Sequence, residues 1–555
     1  DLTTNNKEKQ KQHESGGITM DATGAENHCT ILAIEPSILD ENMLWVGTDD
    51  GNIQLTLDGG TTWTNVSINI KDLPKESWVA QIRASKFNKG EAYAIVNNYR
   101  QFDFKPYLFR TRDFGKTWEN LLAGKDEIFG YSLSLAQDLE VANLLFLGTE
   151  NGLYISLDEG KTWTKWTSNY PSVSTMDLAI HPREHDLIIG TFGRAIYVLD
   201  DIRPFRAMAK EGKAILDKPL YLFTPPNAFI TQNQEAAGSR FGANAIFNGE
   251  NRPRGAMITY SINRPEIKKS EVISDKKKKN AKINAIADAV KYEKPLVKFD
   301  SIFFQAFNDK NELIRSISIE APKENGVHRF FWNLDEKGGN GPSRRKEKPN
   351  SAEPRGVTVL PGTYSIKIHF GNQTASENIK VAYDPRVDIS FEVLKSKYDL
   401  LKQLEAKKGV AGEATQRLLA SKEIVEDYQK RINAQNKDAK EKQSKKDSIS
   451  IHSEISKKIE NLLDAMLGKE DKRQGITATE FPSTISYLYK TSNYVNDLLQ
   501  KPGKTELILV KNADEKVSKV IDEINEFYKT DWVNYRNAVE KLNLSPFKEL
   551  DELKY

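Results

Sequence analysis

One octamer, a hydroxyl residue followed at fixed offsets by an aspartate, a glycine, a threonine and a tryptophan, returns three times early in the chain: TLDGGTTW at 56, TRDFGKTW at 111 and SLDEGKTW at 156. Repetition at a period of roughly 45 to 55 residues is the signature of a repeat architecture. It constrains the fold more tightly than any property of the composition.

Each octamer closes a larger unit. A strand ending in Gly-Thr leads into a second strand that runs into the octamer, as in LWVGTDDGNIQLTLDGGTTW at 44 and LLFLGTENGLYISLDEGKTW at 144. The unit AYAIVNNYRQFDFKPYLFRTRDFGKTW at 92 has a longer loop, and LIIGTFGRAIYVLDD at 187 begins a fourth unit. Upstream of each lies another alternating apolar run: CTILAIEPS, WVAQIRAS, YSLSLAQD and TMDLAIHP. Short strands with period-two patterning, four to a unit, predict antiparallel β-propeller blades over residues 1–205.

A turn between the third and fourth strands explains the octamer. Glycine tolerates positive φ there, a short carboxylate accepts turn N–H groups, and the tryptophan covers the hairpin. Asp58, Gly60 and Trp63, then Asp113, Gly115 and Trp118, then Asp158, Gly160 and Trp163 are therefore expected to be structural. Every blade needs its turn, whereas one active site needs its acid once.

These octamers resemble the Asp-boxes, or BNR repeats, of sialidases, xyloglucanase-type glycoside hydrolases and sortilin-like VPS10 proteins. With AENHCTILAI at 25 and GTFGRAIYVLDDIRPF at 190, the pattern most resembles the bacterial sortilin-like group, whose members are often labelled glycosyl hydrolases. The resemblance implies a ring of more than four blades, so residues 1–205 are expected to be an incomplete ring. Upstream blades from the same, longer precursor would then complete it. It also implies a secreted or cell-envelope protein of a Gram-negative bacterium, in the periplasm or at the outer-membrane surface, with an outer-membrane assembly as a candidate partner.

If the strands of a blade alternate in direction, the loops from second to third strand share one rim with the connections into each first strand, and the octamers occupy the opposite rim. The first rim collects Glu26, Asn27 and His28, then Asp49, Asp50 and Asn52, then Asn97, Asn98, Tyr99 and Arg100, then Glu150 and Asn151, and finally Phe192 and Arg194. Such a mixture of carboxylates, amides and aromatics suits a glycan or a protein segment. Recognition of protein or glycan through this rim is the expected function. A glycoside hydrolase of the xyloglucanase-like type is the alternative, since Glu26, Asp49, Asp50 and Glu150 could supply the two carboxyl groups that flank a glycosidic bond.

Other chemistries find less support. There is no recognisable set of three arginines such as a sialidase uses to clamp a carboxylate. His181 and His185 in HPREHD have a metal-compatible offset but no obvious third ligand, so no metal is expected. No P-loop, dinucleotide fingerprint, HExxH or nucleophile elbow is present, and no cofactor is expected.

Beyond Phe205, LYLFTPPNAF stiffens a linker over 206–239. From 240 to 388 the runs GAMITYSI, SIFFQAFND, LIRSISIEA, VHRFFWNLD, GTYSIKIHF and ENIKVAYD predict an Ig-like β-sandwich, with Trp332 as a core plug and Tyr364 near a turn. This part resembles the FlgD-like Ig modules of exported bacterial proteins. A lysine-rich insertion, 268–294, separates its first two strands. From 389 to 555 the spacing becomes helical and predicts an antiparallel bundle. Its stripes begin at Leu394, Tyr398 and Leu401, continue through Ile451, Ile455, Ile459, Leu462 and Met466, and end with Val517, Ile521, Ile524, Tyr528, Trp532, Tyr535, Val539 and Leu542. NAQNKDAKEKQSKKDS at 433 reads as a charged linker. The fold class is thus mainly β with an α-helical C-terminal region.

A chain of 555 residues is long enough for roughly three or four domains. Its 80 basic and 78 acidic residues nearly cancel, which offers no global field for nucleic acid. The single cysteine, Cys29, excludes an intrachain disulfide. The longest apolar runs are strand-sized, far short of the roughly twenty residues of a membrane-spanning helix. No transmembrane segment is expected.

Overall fold

The computed structural model describes residues 1–10, 28–231, 252–265, 299–347, 351–438, 442–469 and 483–541. Glu26, Asn27, the lysine-rich insertion at 268–294 and Leu542 lie outside the described residues. The chain divides into two compact units, the first comprising Asp1–Thr224 with Thr259–Lys269 and Asn325–His328, the second Pro225–Ile258, Ser270–Glu324 and Arg329–Tyr555.

The first unit is built of four blade sheets in which consecutive strands are neighbours. The first contains β1 (Ile31–Pro36), β2 (Leu44–Thr48), β3 (Ile53–Thr56) and β4 (Thr64–Asn65). The second contains β5 (Trp78–Ala84), β6 (Ala92–Asn98), β7 (Asp103–Thr111) and β8 (Glu119–Asn120). The third contains β9 (Ser132–Gln137), β10 (Leu145–Thr149), β11 (Gly152–Ser156) and β12 (Thr164–Trp166), and the fourth β13 (Thr175–Ile180), β14 (Leu187–Thr191) and β15 (Ile196–Leu199). All pairings in these sheets are antiparallel. Helix α1 (Arg203–Glu211) follows the fourth blade, where its buried Arg206 donates to Asp138 at 2.9 Å and bonds His185 Nδ1 at 2.9 Å. His185 is thereby spoken for, and its pKa is lowered by burial and then by Arg203 and Arg206. Among the described residues no cluster able to hold a metal ion occurs.

The octamers form one hydrogen-bonded motif three times. In the third, Ser156 Oγ donates to Asp158 Oδ1 at 2.8 Å and accepts from Gly160 N at 2.8 Å. Asp158 also receives the Thr162 backbone N–H at 2.8 Å and the Thr162 hydroxyl at 2.6 Å. Thr56, Asp58, Gly60 and Thr62 repeat this set, as do Thr111, Asp113, Gly115 and Thr117. Gly60, Gly115 and Gly160 all have positive φ, 95°, 78° and 84°. Trp63 and Trp118 each donate Nε1–H to the octamer glycine carbonyl at 3.1 Å, and Trp163 is buried.

The glycine of the Gly-Thr pair has a different task. A Cβ on Gly47 would lie 2.6 Å from Val79 Cγ1 of β5, and one on Gly148 would lie 2.5 Å from the Thr175 carbonyl of β13. At both positions the next blade's inner strand approaches too closely for any other residue. Across the inner strands, β5 acts as a knot: Arg83 donates to Leu135 O at 3.1 Å and meets Asp177 at 3.3 Å and Glu35 at 3.9 Å, while Gln81 donates to Asp177 at 2.9 Å.

Following the blades, β16 (Leu220–Leu222) pairs with the C-terminal half of β18 (Ala256–Ile262). In the second unit a five-stranded sheet runs in the order β17 (Ala228–Ile230), β25 (Gln373–Tyr383), β24 (Gly362–Phe370), β19 (Ser301–Phe307) and β20 (Leu313–Glu320). Trp332, at the end of β21 (Gly326–Trp332), is fully buried, 5.9 Å from the Phe304 ring and 5.8 Å from the Tyr364 ring. The Tyr364 hydroxyl donates to Leu360 O at 2.7 Å. A short ribbon joins β22 (Asp335–Lys337) to β23 (Arg355–Thr358).

Helices α2 (Phe391–Asp438), α3 (Lys442–Leu467), α4 (Thr484–Asn496), α5 (Lys504–Lys529) and α6 (Asp531–Glu540) share one core that includes Leu404, Leu418, Ile459, Leu463, Leu488, Val517, Ile524 and Phe527. The chain therefore is mainly β with a helical C-terminal region. Tyr528, Trp532 and Tyr535 pack ring against ring within this core, at 6.2 and 5.5 Å. One expectation changes: α2 and α3 extend into the charged stretch at 433, so most of its backbone is helical rather than a linker. The first stripe also shifts in part, because the buried positions at the start of α2 are Leu394, Lys397, Leu400 and Leu404, while Tyr398 and Leu401 are half-buried and Leu401 packs against the core.

Candidate functional site

The loops from second to third strand do not contribute equally to their rim. Several candidates serve the scaffold. Asp49 is buried and accepts the Thr30 N–H at 2.7 Å, with His28, also buried, 3.7 Å away. Burial raises the Asp49 pKa, opposed by the Thr30 N–H and by His28. Asp50 is buried as well, accepting the Thr4 backbone N–H at 2.6 Å, the Thr4 hydroxyl at 2.7 Å and the Thr48 hydroxyl at 2.5 Å. Burial alone would raise its pKa, but the Thr48 and Thr4 hydrogen bonds outweigh it and the net shift is downward. Asn52 and Gln54 both donate to Leu2 O, at 3.2 and 3.0 Å, so this corner of the rim anchors the N-terminal segment. Asn98 is buried and donates to Asp103 Oδ2 at 3.3 Å, which holds the base of the second blade's loop.

Two other candidates, Tyr99 and Arg100, meet in an aromatic cluster. The Arg100 guanidinium carbon lies 3.1 Å from the Trp78 ring centroid and 4.3 Å from that of Tyr99. Tyr99 stacks on Tyr131 at 4.4 Å, and Phe104 is 6.4 Å from Tyr131. Tyr131 is fixed through its carbonyl, which accepts the Glu150 N–H at 3.0 Å. Its pKa is raised by burial first and by the Glu150 charge second. Glu150 is half-buried and Asn151 exposed, beside Gly130.

Close to these residues in the chain stand bare rings. Phe102 is 89% exposed and holds a left-handed backbone, φ 58°, uncommon for a bulky residue. Phe104 and Phe129 are exposed as well. On the corresponding turn of the fourth blade, Phe192 and Arg194 are exposed. Nearby on the first blade a hollow of about 470 Å³ is lined by Asp50, Ile68, Leu73, Lys75 and Glu76, among others. The residues missed from sequence were Trp78, Phe102, Phe104, Phe129 and Tyr131. The signal for Phe102 and Phe104 was present in QFDFKPY, an aromatic-rich stretch that the structure places at the start of β7, whereas Trp78, Phe129 and Tyr131 lie outside it.

No family model matches the chain, and no curated protein matches it. Among solved structures, the computationally designed Ika4 protein is similar at 14% identity over 31% of this chain and 91% of its own, with a TM-score of 0.22. YCF48 bound to D1 peptide is similar at 17% identity over 31% of this chain and 51% of its own, with a TM-score of 0.24. The GH74 enzyme of Niastella koreensis is similar at 14% identity over 29% of this chain and 26% of its own, with a TM-score of 0.23. The chain thus spans about half of YCF48 and about a quarter of the GH74 enzyme.

Proposed function

We propose that this is a binding protein of the bacterial cell envelope, sortilin-like in its blades, which captures a protein or glycan ligand through the rim opposite the octamer turns. The observation that carries the reading is the cluster of Arg100, Trp78, Tyr99 and Tyr131, with Phe104 6.4 Å from Tyr131 and Phe102 and Phe129 bare beside it in the chain. Exposed aromatic surface costs solubility, and rings with an arginine at their centre are the residue types that dominate binding hot spots. Blade strands hold the loops rigid while the side chains differ from loop to loop, as recognition on a fixed scaffold requires.

The hydrolase alternative rests on fewer acids. Asp49 and Asp50 are committed to Thr30, Thr48 and Thr4, which leaves Glu150 as the described rim candidate open to a substrate. The deciding measurement is binding of the chain to a panel of oligosaccharides and peptides, with Phe102→Ala and Glu150→Ala compared against wild type. Capture that is unaltered in both variants rejects the rim. Turnover of a glycan that vanishes in Glu150→Ala moves the protein to the enzyme class.

Upstream blades belong to the same reading. The fourth blade leaves apolar residues bare on one face, with Ile196 68% and Val198 55% exposed and Val198 paired to Ile188. Gly190 corresponds to Gly47 and Gly148, yet a Cβ there would meet nothing nearer than 3.7 Å, and that atom is in its own sheet. A glycine that elsewhere admits the next inner strand, on a face patterned for burial, fits a further blade.

A further inference from the structure

In the second unit, a cavity of about 520 Å³ lies between α2, the end of α4, the strands β17 and β23 and the end of β25. Its volume is within the range of small-molecule sites, roughly 300 to 1,000 Å³. About half of its wall is apolar, with Ile230, Val357, Val359, Leu394 and Leu401 contributing, and the rest is polar. Among its polar lining residues one stands out. Lys397 occupies a buried position of the α2 stripe, between Leu394 and Leu400, where an apolar side chain would complete the core.

An ammonium group carries three donors, and removing it from water without matching acceptors is costly. Lys397 is 9% exposed, and its Nζ donates to Leu498 O at a long 3.3 Å. Burial lowers its pKa, and the Asp497 charge only partly opposes that. Arg254 and Asp497 also line the cavity. Two cations against one carboxylate leave a single positive charge beside an apolar wall. The neighbouring Glu336 does not alter the balance, since it is paired with Lys402 at 2.6 Å and accepts the Tyr398 hydroxyl.

We propose that this cavity binds an amphipathic monocarboxylate, its acid head between Lys397 and Arg254 and its apolar body against the leucine and valine wall. The head would complete the hydrogen bonding of the ammonium, and the body would cover the leucine and valine side of the cavity. This site belongs to the second unit and is independent of the rim.

The test is calorimetric titration of the full chain with octanoate, octanol and inorganic phosphate, which separate the head from the tail. Octanoate is expected to bind at least tenfold more tightly than octanol, with phosphate weaker still. Lys397→Met should abolish the preference for octanoate over octanol while leaving octanol binding in place, and Lys397→Arg should retain it. Equal binding of octanoate and octanol to wild type overturns the proposal, as does absence of binding by either. A folded Lys397→Arg protein without the preference also overturns it, because the lysine would then be a structural group alone.

Discussion

Asp158 takes both the backbone N–H and the hydroxyl of Thr162, at 2.8 and 2.6 Å, and so ties the third octamer across four residues. Replacing Asp158 by alanine removes the acceptor for these and for the Ser156 hydroxyl. A loss of about 1 to 3 kcal/mol is expected in urea denaturation, the range for stranding hydrogen-bond donors. Lys161→Ala, on the same turn, should change nothing measurable. Unaltered stability in Asp158→Ala together with loss of a ligand would reverse the structural assignment.

Acid should weaken the same turns. The Thr62 hydroxyl and N–H bring the Asp58 pKa from 3.8 to about 2, and Thr117 likewise lowers that of Asp113. At Asp158 burial pushes upward, but the Thr162 bonds prevail and the shift is again downward. Folded values below the unfolded ones mean that the contribution is complete above about pH 4 and is lost as pH falls toward 2. Melting temperature followed from pH 5 to pH 2 should therefore drop, and should drop less when all three aspartates are asparagine. Parallel pH profiles would show that these carboxylates are not responsible.

On the rim, the acids should separate into two behaviours. Asp49→Ala and Asp50→Ala are expected to destabilise by about 1 to 3 kcal/mol, because each leaves buried donors unpaired. Phe102→Ala, at an exposed position, and Glu150→Ala, at a half-buried one, should leave stability within about 0.5 kcal/mol, as substitutions outside buried networks do, while weakening capture of the ligand. Thermal melts combined with the binding panel check both halves. A Phe102→Ala protein that binds as well as wild type removes the aromatic cluster from the function.

Two glycines one turn apart on α2 should respond with opposite sign. A Cβ at Gly412 would lie 1.9 Å from Asn340 O, whereas one at Gly409 would meet only Gly339 Cα at 3.5 Å. Alanine is favoured over glycine in a helix by about 1 kcal/mol. Gly409→Ala should thus raise the melting temperature, and Gly412→Ala should lower it by forcing the loop at 338–341 away from the helix. Equal effects of the two variants would contradict this packing.

The open face of the fourth blade should make the chain associate. Sedimentation velocity is expected to show concentration-dependent oligomers that Ile196→Asp with Val198→Asp suppresses, since apolar sheet faces seek cover. A monomer at all concentrations in the wild type would mean that the face needs no neighbour.

What the amino-acid sequence determined by itself was local. Each octamer bond spans two to four residues, and period-two alternation follows from the pleat, so turns and strands could be placed without knowing what they would touch. Burial of Asp49 and Asp50 could not be seen, because Thr30 and Thr4 arrive from 19 and 46 residues away. The same holds for Arg100, whose platform Trp78 starts another strand, and for Gly47, which looks like a turn residue but makes room for Val79. Lys397 is the extreme case. Helical spacing places it on the core face, but only the packing of α2 against α4 and β23 decides that its ammonium lines a cavity instead of reaching water. Hydrogen bonds within a turn are written in adjacent residues. Desolvation and close approach are set by what the rest of the chain brings alongside.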